Sequence, residues 1–428
     1  MAGGASFHCM ILSDETIKKQ PCRVILLTQW FDPEPTFKGL LFARELQARG
    51  YIVEVVTGFP NYPGGSLYPG YRLRWIQREV TDGISITRLP LYPSHDKRAL
   101  PRIANYLSFC LSAFLYLTFF ARRADVLYAY HPPLTVGLAA AMAKLFRRTP
   151  SVLDVQDMWP DTLSATGMLN ASLPLRIVGV ICRWVYERMT HIVVLSPGFK
   201  RLLISRGVPA EKVTMIYNWA DETAILAAGQ NRPVLMPDNG RFRLLFAGNM
   251  GLAQNLGVVL DAAKIATAAN DTVDFCFLGG GLETERIRQR AMDEQLSCVH
   301  FFPKVSMAEV GSYLSAADCL LVNLRPDPLF EITIPSKTQA YMSAGRPIII
   351  AVAGDAAALV EAANAGIAVA PGDANALADA VLKMAALDTQ TRTEMAKSAR
   401  SYYHNHLSLR CGVNTFDTLF RGIIHSKK

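Results

Sequence analysis

The stretch Leu244-Leu245-Phe246-Ala247-Gly248-Asn249-Met250-Gly251 joins a short apolar run to a turn with two glycines, and Gln254 and Asn255 follow where a helix is expected to begin. A continuous apolar run that ends at glycine is typical of a buried parallel strand. Glycines let the backbone approach a ligand closely, and the first N–H groups of the helix can bind an anion. This stretch therefore predicts a strand–turn–helix unit of an α/β domain with an anion site at the turn.

The same alternation of short apolar strands and amphipathic helices extends from Arg23 to about residue 400. Upstream strands are predicted at Val24–Thr28, Ile52–Thr57, Ile84–Leu89, Val126–Tyr130, Val152–Val155, Ile192–Leu195 and Val213–Tyr217. Downstream strands are predicted at Asp274–Leu278, Val299–Phe302, Cys319–Asn323 and Ile348–Val352. The pattern predicts two tandem, doubly wound parallel-sheet domains, with ligands in the cleft at the carboxyl ends of the strands.

The boundaries follow from breaks in this pattern. Residues 1–22 are predicted to be an N-terminal extension without a secretory signal, because Ser13–Pro21 is polar and no long apolar core precedes a cleavage site. The first domain spans residues 23–220, and a segment rich in Gly, Pro, Asn and Asp predicts a linker at residues 221–240. The second domain spans residues 241–400, and residues 401–428 have helical spacing.

Charge divides the chain into two unlike halves. Its 428 residues are 50% apolar and 19% charged with net charge +8, of which residues 1–220 contribute +10 and residues 221–428 contribute −2. A basic half favours contact with an anionic membrane surface, and the lack of basic runs with interleaved aromatics argues against nucleic acid. The eight cysteines show no CxxC spacing, which predicts reduced core cysteines of a cytoplasmic protein and no metal site.

One segment of the first half is long and uncharged. Ile103–Phe120 has 18 residues without a charge and is flanked by Arg102, Arg122 and Arg123. Its length is at the lower margin for a transmembrane helix, but a span would place the two halves of one sheet on opposite sides of the bilayer. A helix in the membrane interface and a plain core helix both remain open, and both fit better than a span.

A second candidate anion site is Glu331-Ile332-Thr333-Ile334-Pro335-Ser336-Lys337, followed by Tyr341, Gly345, Arg346 and Pro347. We expect Ser336 to cap a helix that Lys337 begins, so that N–H groups and an ammonium converge on an anion. Glu331 is placed to accept hydrogen bonds from hydroxyls. A capped, solvent-facing helix is the alternative. Gly279-Gly280-Gly281 repeats the glycine turn after the next strand, which favours a nucleotide-diphosphate site.

Several of these motifs resemble those of the family 4 glycosyltransferases that build bacterial surface polysaccharides. The run from Pro335 to Ile348 resembles their donor-site helix, and Ala247–Gly251 is similar to their donor-domain turn. Three loops of the first half are also similar to those of the family: Phe31–Gly39, Thr57–Pro63 and Gln156–Pro160. The resemblance covers residues 23–400 in order. It implies a GT-B fold, with an acceptor on the first domain, a nucleotide sugar on the second, and a C-terminal helix that packs back on the first domain.

The chain departs from the family pattern at the donor site. The family has two glutamates separated by seven residues; Glu331 lies one position from the place of the first, and the second is missing near Ala340. The second glutamate holds the ribose in the family. Two cations after the donor-domain strand are also replaced, with Asn249 and Gln254 close to their places. Lys304, Arg325 and Lys337 are then the candidates to neutralise a diphosphate.

The resemblance also assigns the remaining site residues. Gly248, Asn249, Gly251, Gln254, Asn255, Gly280, Pro335 and Ser336 are expected to bind the donor. Lys38 and Gly39 begin the first helix and face the cleft, while Asn61, Tyr62 and Trp159 offer hydrogen bonds and flat faces to a sugar. Asp157 and His131 are the polar candidates on the acceptor side, although each can instead have a structural role in its turn.

The resemblance implies transfer with retention of configuration, in which Asp157, Glu331 and Lys337 are the catalytic candidates and neither metal nor cofactor takes part. The expected donor is UDP-linked, and the expected acceptor is a polyprenyl-diphosphate-linked glycan at the cytoplasmic face of the inner membrane, where the protein would be peripheral. Two other functions remain open: a sugar-nucleotide 2-epimerase of the same fold, and a non-catalytic, membrane-associated component of a polysaccharide assembly complex.

Overall fold

The structure is a computed structural model and describes residues 21–94, 99–165, 171–229 and 236–426. Within these residues the first sheet has eight strands, in the order β3-β4-β2-β1-β5-β6-β7-β8, and all neighbours are parallel except β3 and β4. The strands are β1 (Arg23–Thr28), β2 (Ile52–Gly58), β3 (Gln77–Thr81), β4 (Ile84–Leu89), β5 (Val126–His131), β6 (Ser151–Val155), β7 (His191–Val194) and β8 (Val213–Met215). Its helices are α1 (Leu40–Ala48), α2 (Ala99–Leu115), α3 (Leu134–Arg147), α4 (Asp161–Ala165), α5 (Ser172–Arg188) and α6 (Pro197–Ser205).

The second sheet has six parallel strands in the described residues, in the order β11-β10-β9-β12-β13-β14. The strands are β9 (Phe242–Asn249), β10 (Val273–Gly280), β11 (Val299–Phe302), β12 (Cys319–Asn323), β13 (Ile348–Ala351) and β14 (Gly366–Ala368). Its helices are α7 (Glu222–Ala228), α8 (Leu256–Ala269), α9 (Thr284–Asp293), α10 (Met307–Ala316), α11 (Pro328–Glu331), α12 (Ser336–Ala344), α13 (Asp355–Ala362), α14 (Ala374–Ala386) and α15 (Thr389–Tyr402). The chain ends in α16 (Leu409–His425).

Both sheets are covered by helices on both faces, which explains why their strands are apolar without alternation. In β1, Ile25 and Leu27 face the helix layer of α2, α3, α5 and α6, whereas Val24 and Leu26 face α1 and α16. Burial on both faces makes every position of the strand apolar. The prediction of two doubly wound parallel-sheet domains is confirmed.

The strand order places a crevice at one edge of each sheet. In the first sheet the order in which strands are added reverses between the parallel neighbours β1 and β5, and in the second it reverses between β9 and β12. The connections that leave these neighbouring strands diverge to opposite faces, so a crevice opens outside their carboxyl ends. The loops after β1, β5, β9 and β12 therefore lie at the two crevices.

Two segments differ from the sequence expectation. Within the expected linker, residues 222–228 form α7 because the Asp221 carboxylate accepts a hydrogen bond from Ala224 N (3.0 Å) and caps the helix. The expected single helix near the C-terminus is instead α15, a π-helical turn at Tyr403–Leu407 and then α16, whose start is capped by Ser408. Residues 1–20 and 230–235 lie outside the described residues.

The C-terminal helix α16 returns to the first domain. Phe416 packs on Phe42 and Tyr128 of the first domain, with ring centroids 5.1 and 5.4 Å apart. At the crossover, Glu222 accepts hydrogen bonds from Tyr403 Oη (3.0 Å) and Leu409 N (2.8 Å). The carboxylate of Glu222 thus ties the start of α7 to the start of α16.

Helix α2 lies with one face in the core of the first domain. The helical stretch Leu100–Phe120 has 21 residues and a mean hydropathy of 1.6, so it is long and apolar enough to cross a membrane by length and composition. Phe109 and Ala113 are nevertheless fully buried in the domain, while Leu107 and Leu111 are 51% and 57% exposed. The helix is therefore a core element with an exposed apolar face.

Candidate active site

The carboxyl ends of the two sheets face each other across a cleft. Two hydrogen bonds cross this cleft. Ser196 Oγ of the first domain donates to Ile332 O of the second (2.5 Å), and Arg325 Nη2 of the second domain donates to Ala165 O of the first (2.6 Å). A cavity of about 590 Å³ lies between α4 and α6 of the first domain and α11 of the second. The residues of these two hydrogen bonds and of this cavity come from the segments after β6, β7 and β12, which therefore form the walls of the cleft.

Lys337 is the most unusual side chain of the donor side. Its Nζ is buried without a hydrogen-bond partner in the described structure. The ammonium lies 3.7 Å from the ring centroid of Phe246, and a Cβ atom at Gly248 would lie 3.5 Å from it. Burial lowers the pKa of Lys337 to about 7. A buried cation that lacks an anion costs free energy, so this position favours binding of an anionic group beside Gly248.

Tyr341 positions Lys337. The two residues are one turn apart on α12, and Tyr341 Oη accepts from Ala247 N (2.9 Å) and donates to Ala247 O (3.1 Å). Burial raises the pKa of this phenol, which stays neutral and able to donate. The hydroxyl therefore fixes α12 on the end of β9, so that the Lys337 ammonium projects over the turn that follows.

The two predicted glycine turns pack on each other. Gly248 and Gly279 have φ values of +136° and +131°, and a Cβ at Gly279 would lie 2.1 Å from Gly248 O. Met250 N donates to Gly280 O (3.0 Å), which joins the turns. Only glycine fits at Gly279, and the close packing leaves backbone rather than side chains at the mouth of the donor site.

The polar residues of the first turn have different roles. Gln254 Oε1 accepts from Gly251 N (3.0 Å), so its side chain closes the turn and is not directed to a ligand. Asn255 is the residue before α8, in the left-handed conformation with φ 46°. Asn249 is exposed at the end of β9 and remains a candidate ligand residue. Gly280, at the end of β10, is half-buried.

The start of α12 differs from the expectation in one respect. Ser336 is the first residue of the helix, Pro335 precedes it, and no side-chain hydrogen bond caps the end. Ser336 is therefore not the cap, because its backbone already has helical geometry and its side chain is exposed. Without a cap, the first N–H groups stay available to an anion. Glu331, at the end of α11, is exposed and makes no side-chain hydrogen bond with the described residues.

The other two candidate cations are unlike Lys337. Arg325 donates to Asp327 Oδ2 (3.2 Å) as well as to Ala165 O, so its guanidinium bridges the domains. The expectation that Arg325 neutralises a diphosphate is not supported by this position, because its charge already has a carboxylate partner. Lys304 is exposed after β11. Lys337 is thus the cation best placed for the donor.

Asp157 and His131 lie at the carboxyl ends of β6 and β5. Burial raises the pKa of Asp157 to about 6 and lowers the pKa of His131 to about 3. Both ring nitrogens of His131 are buried without a partner in the described residues, and its ring lies 5.9 Å from that of Trp159. A neutral histidine of such low pKa is a weak base, whereas a carboxylate with a pKa near 6 can accept a proton at neutral pH. At neutral pH, Asp157 is therefore the better proton acceptor of the two.

Tyr62 lies on the same side of the cleft. Its ring stacks on Trp30 with centroids 4.5 Å apart. Burial raises the pKa of Tyr62, and the nearby charge of Asp157 raises it further. Tyr62 and Asp157 therefore lie close together on the first-domain side of the cleft, and their contact with an acceptor stays a prediction.

Lys38 does not face the cleft. It is 2% exposed; its Nζ donates to Asn218 Oδ1 (2.9 Å) and lies 3.6 Å from the ring centroid of Trp219. Burial lowers the pKa of Lys38 to about 8, opposed by the charge of Asp154. Gln156 completes the network by donating to Asp154 (2.5 Å) and accepting from Asn218 (2.6 Å). In this conformation the charge of Lys38 serves a buried network, and its contact with a ligand stays a prediction.

Gly39 and Asn61 are also structural. A Cβ at Gly39 would lie 2.3 Å from Asp32 Oδ2, and that carboxylate accepts from Leu40 N (2.7 Å), the first N–H of α1. The start of α1 is thus occupied by Asp32 rather than open to a ligand. Asn61 is 2% exposed and donates to Phe59 O (2.9 Å). Both residues are buried in contacts within the first domain, and their binding of an acceptor stays a prediction.

Glu34 was not predicted to have a role, but its carboxylate joins the loop after β1 to the loop after β2. Its carboxylate accepts from Asn61 N (2.7 Å), Tyr62 N (2.8 Å) and Phe31 N (3.2 Å). Burial raises the pKa of Glu34, and these hydrogen bonds oppose the shift. Glu34 and Asn61 lie in two separate quoted motifs, but nothing in their spacing indicates that they meet. Tyr341 was part of the quoted donor motif, and its place four residues after Lys337 on a predicted helix could have indicated its positioning role.

Comparisons with known proteins agree with this geometry. Residues 40–219 match a family model described as "Glycosyl transferase 4-like domain", and residues 241–386 match one described as "Glycosyl transferases group 1". WbjE of Pseudomonas aeruginosa, described as a glycosyltransferase, is 24% identical over 328 residues, which are 74% of this chain and 81% of WbjE. WcaI of Escherichia coli K12, described as a colanic acid biosynthesis glycosyl transferase, is 25% identical over 71% of this chain and 76% of WcaI.

Solved structures share the fold over nearly the whole chain. HepE of Anabaena, determined in complex with UDP, is 16% identical with a TM-score of 0.66, over 94% of this chain and 100% of HepE. Sucrose-phosphate synthase of Thermosynechococcus elongatus is 15% identical with a TM-score of 0.72, over 95% of this chain and 100% of that enzyme. The two facing parallel-sheet domains are therefore those of the GT-B fold.

Proposed function

The chain belongs to the family 4 glycosyltransferases of GT-B fold, which use nucleotide sugars, and from that premise we propose that it transfers a sugar from UDP to a polyprenyl-diphosphate-linked glycan with retention of configuration. The transfer would serve bacterial cell-surface polysaccharide synthesis, as the description of WcaI suggests for that relative. UDP is favoured as the nucleotide because HepE, with the same fold, was determined with UDP bound.

The observation that carries this proposal is the unpartnered ammonium of Lys337 over the turn at Gly248. A diphosphate in this position would accept hydrogen bonds from the Lys337 ammonium and from the uncapped N–H groups of α12. Both become more favourable as negative charge builds up on the leaving group. The donor diphosphate would therefore bind with its β-phosphate toward Lys337.

On the opposite wall, Asp157 would accept a hydrogen bond from the attacking hydroxyl and orient it. In a front-face transfer the departing diphosphate takes the proton of the acceptor, so Asp157 acts by position, as the hydrogen-bond acceptor that orients the attacking hydroxyl. Its pKa of about 6 keeps it mainly ionised at pH 7. Glu331, exposed at the end of α11, would bind hydroxyls of the donor.

A lipid-linked acceptor requires contact with a membrane, and the first domain has a surface suited to it. The side formed by α2, α3 and α5 exposes apolar residues at helical spacing: Leu107, Leu111, Leu115, Phe119, Phe146, Ile177 and Val180. Exposed arginines lie in the same segments: Arg122, Arg123, Arg148, Arg176 and Arg183. We call this surface the apolar face. Apolar side chains bordered by cations suit the interface of an anionic bilayer, so peripheral binding at the cytoplasmic face of the inner membrane is proposed.

The donor assignment is tested by thermal unfolding with UDP, GDP, ADP and dTDP and their sugars. A ligand at 100 times its Kd stabilises the native state by about 2.7 kcal/mol, so the cognate donor should raise Tm by several degrees. UDP-sugars are expected to do so in wild type and not in Lys337→Met. A larger shift with GDP or ADP would overturn the choice of UDP.

The other functions give different products. A 2-epimerase would interconvert UDP-sugars without acceptor and without nucleotide release, which would exclude the transferase. For a non-catalytic component, Lys337→Ala and Glu331→Ala would leave polysaccharide production unchanged, while loss of the apolar face would abolish it. Release of UDP that depends on a polyprenyl-diphosphate-linked acceptor is the result expected of the transferase.

The apolar face is tested by co-sedimentation with two kinds of vesicle, anionic vesicles that contain phosphatidylglycerol and neutral vesicles of phosphatidylcholine alone. We expect binding to the anionic vesicles only, with a decrease of about tenfold in Leu111→Glu. Leu226→Glu is the matched control, because Leu226 on α7 is also exposed (42%) but lies outside the apolar face. Equal losses in the two variants would reject this surface as the membrane contact.

A further inference from the structure

A second cavity lies at the opposite edge of the second sheet from Lys337. Asp318 and Pro347 line it immediately before β12 and β13, where the strands begin, and α15 closes its outer side. Its volume is about 700 Å³, in the range of small-molecule sites. The donor site lies where the strands end, so the two sites are separated by the length of the sheet.

Positive charge dominates this cavity. Its lining includes four cationic side chains: Arg346, Arg392, Lys397 and Arg400. Asp318 is the carboxylate among the lining residues, and it already accepts two hydrogen bonds from Arg243, from N (2.9 Å) and Nε (3.2 Å). The cations of the cavity therefore exceed its anions, with no other acidic side chain in its lining.

The arginines also hold helix ends, but those bonds leave donors free. Arg400 Nη2 donates to Ala344 O (2.9 Å) at the end of α12, and Arg346 donates to Ser315 O at the end of α10. A guanidinium has five N–H donors, so most of them remain for a ligand. Lys397, on α15, is exposed and makes no hydrogen bond or ion pair with the described residues.

The cations are close enough to oppose one another. A Cβ at Gly345 would lie 2.8 Å from Arg400 Nε, so this guanidinium lies directly over the residue before Arg346. Burial lowers the pKa of Arg346, and the charges of Arg243 and Arg400 lower it further, against the opposing effect of Asp318. Like charges in one cavity are unfavourable unless a counter-anion binds among them.

We propose that this cavity binds a phosphate-bearing anion, held by Arg392, Lys397 and Arg400. Guanidinium groups bind phosphate oxygens through paired N–H donors, and an ammonium adds a point charge. The site is distinct from the donor site and lies on α15, which continues through the π-helical turn into α16. A ligand here would contact the C-terminal end of α12, the helix whose first turn carries Lys337.

Calorimetric titration of the full chain with inorganic pyrophosphate tests this site, with the donor site saturated by UDP. We expect one pyrophosphate per chain, and a loss of affinity of about tenfold or more in Lys397→Glu, because a charge-assisted contact is replaced by repulsion. Lys383→Glu, on the exposed part of α14, makes the same change of net charge outside the cavity and should bind as wild type does.

Two results would overturn the proposal: no heat of binding in wild type, or equal losses in Lys397→Glu and Lys383→Glu. Unchanged Tm of both variants shows that they fold. If UDP itself fails to bind, dependence on Lys397 still identifies the cavity, so the proposed function can fail independently. Phosphatidylglycerol vesicles distinguish the source of the phosphate: displacement of pyrophosphate by them indicates a lipid headgroup, and retention indicates a soluble anion.

Discussion

At the scale of single residues, Lys337 is expected to favour donor binding while it lowers the free energy of unfolding. Its ammonium is buried over Phe246 without a partner, and its pKa is lowered to about 7. Lys337→Met should therefore raise the free energy of unfolding by about 1–3 kcal/mol at pH 6, since an unpaired buried cation is removed. It should also weaken UDP binding by about tenfold to a hundredfold. Chemical denaturation and calorimetry measure the two effects.

The sign of the pH dependence follows from this lowered pKa. Between pH 7 and the unfolded value of 10.5, the unfolded chain binds more protons at Lys337 than the native chain does, so this residue makes stability rise with pH. The stabilisation by Lys337→Met should thus be largest below pH 7 and disappear above pH 10.5. Lys304→Met is the control, because Lys304 is exposed; equal gains in both variants would contradict the assignment.

Asp157 should control the acidic side of the pH profile. Burial raises its pKa to about 6, so its ionised form is present above that pH and is lost as the pH falls through it. Asp157→Asn should lower kcat by about 10²–10⁴-fold and remove the acidic limb from the plot of kcat/KM against pH. The Kd of UDP should not change, since Asp157 lies on the opposite domain.

Asp161→Asn is the matched control for this variant. Asp161 lies four residues further along the same segment and pairs with Arg206 (2.7 Å) in a partly exposed ion pair. Such pairs contribute little to stability, so wild-type kinetics are expected. If Asp157→Asn retains the acidic limb, another group is responsible for that limb and the proposed role of Asp157 is wrong.

At the scale of elements, the order of the central strands and of the helices between them could be predicted from the sequence. The hydrogen-bond partners of the side chains in the loops could not. The central strands are buried on both faces, so their composition reports their environment directly, whereas the exposed edge strand β3 and the half-buried edge strand β14 were not predicted. Lys38, in contrast, is bonded to Asn218, 180 residues away, and Asn61 is bonded to Asn105, 44 residues away. Spacing carries no information on such partners. The position of Lys38 at the start of a helix therefore predicted a ligand contact, whereas in the structure its ammonium belongs to a buried hydrogen-bond network.

Helix α12 owes its position to one hydroxyl, which gives an element-scale prediction. Tyr341→Phe leaves Ala247 without the two hydrogen bonds that the phenol makes, at a cost of about 1–3 kcal/mol to the free energy of unfolding. Because Lys337 lies one turn earlier, UDP affinity should fall a further few-fold as α12 loosens. Thermal unfolding and UDP titration check both effects.

Tyr313→Phe is the corresponding control in the same domain. Tyr313 is 6% exposed and donates no hydrogen bond to the described residues, so removal of its hydroxyl should change neither Tm nor UDP affinity. A loss of UDP affinity in Tyr341→Phe without loss of stability would show that the hydroxyl contacts the ligand and does not merely position the helix.

At the scale of the whole molecule, the two domains are joined by the crossover at Glu222 and by polar contacts across the cleft. Glu222 and α16 tie the chain together on one side. On the other, Asp355 accepts from Gly198 N (2.5 Å) and Arg201 (2.9 Å). The side chain of Asp355 is 8% exposed, so these bonds are worth more than those of a surface ion pair.

Asp355→Ala should therefore shift the chain toward open arrangements of the domains. Loss of bonds worth about 1–3 kcal/mol changes the ratio of open to closed forms by about tenfold to a hundredfold. Small-angle scattering should give a larger radius of gyration for the free variant than for wild type, and UDP should reduce it. Asp82→Ala, which removes an exposed ion pair with Arg44 inside the first domain, is the control and should scatter as wild type. Identical curves for Asp355→Ala and wild type would mean that the crossover at Glu222 and the bonds of Ser196 and Arg325 across the cleft hold it closed without Asp355.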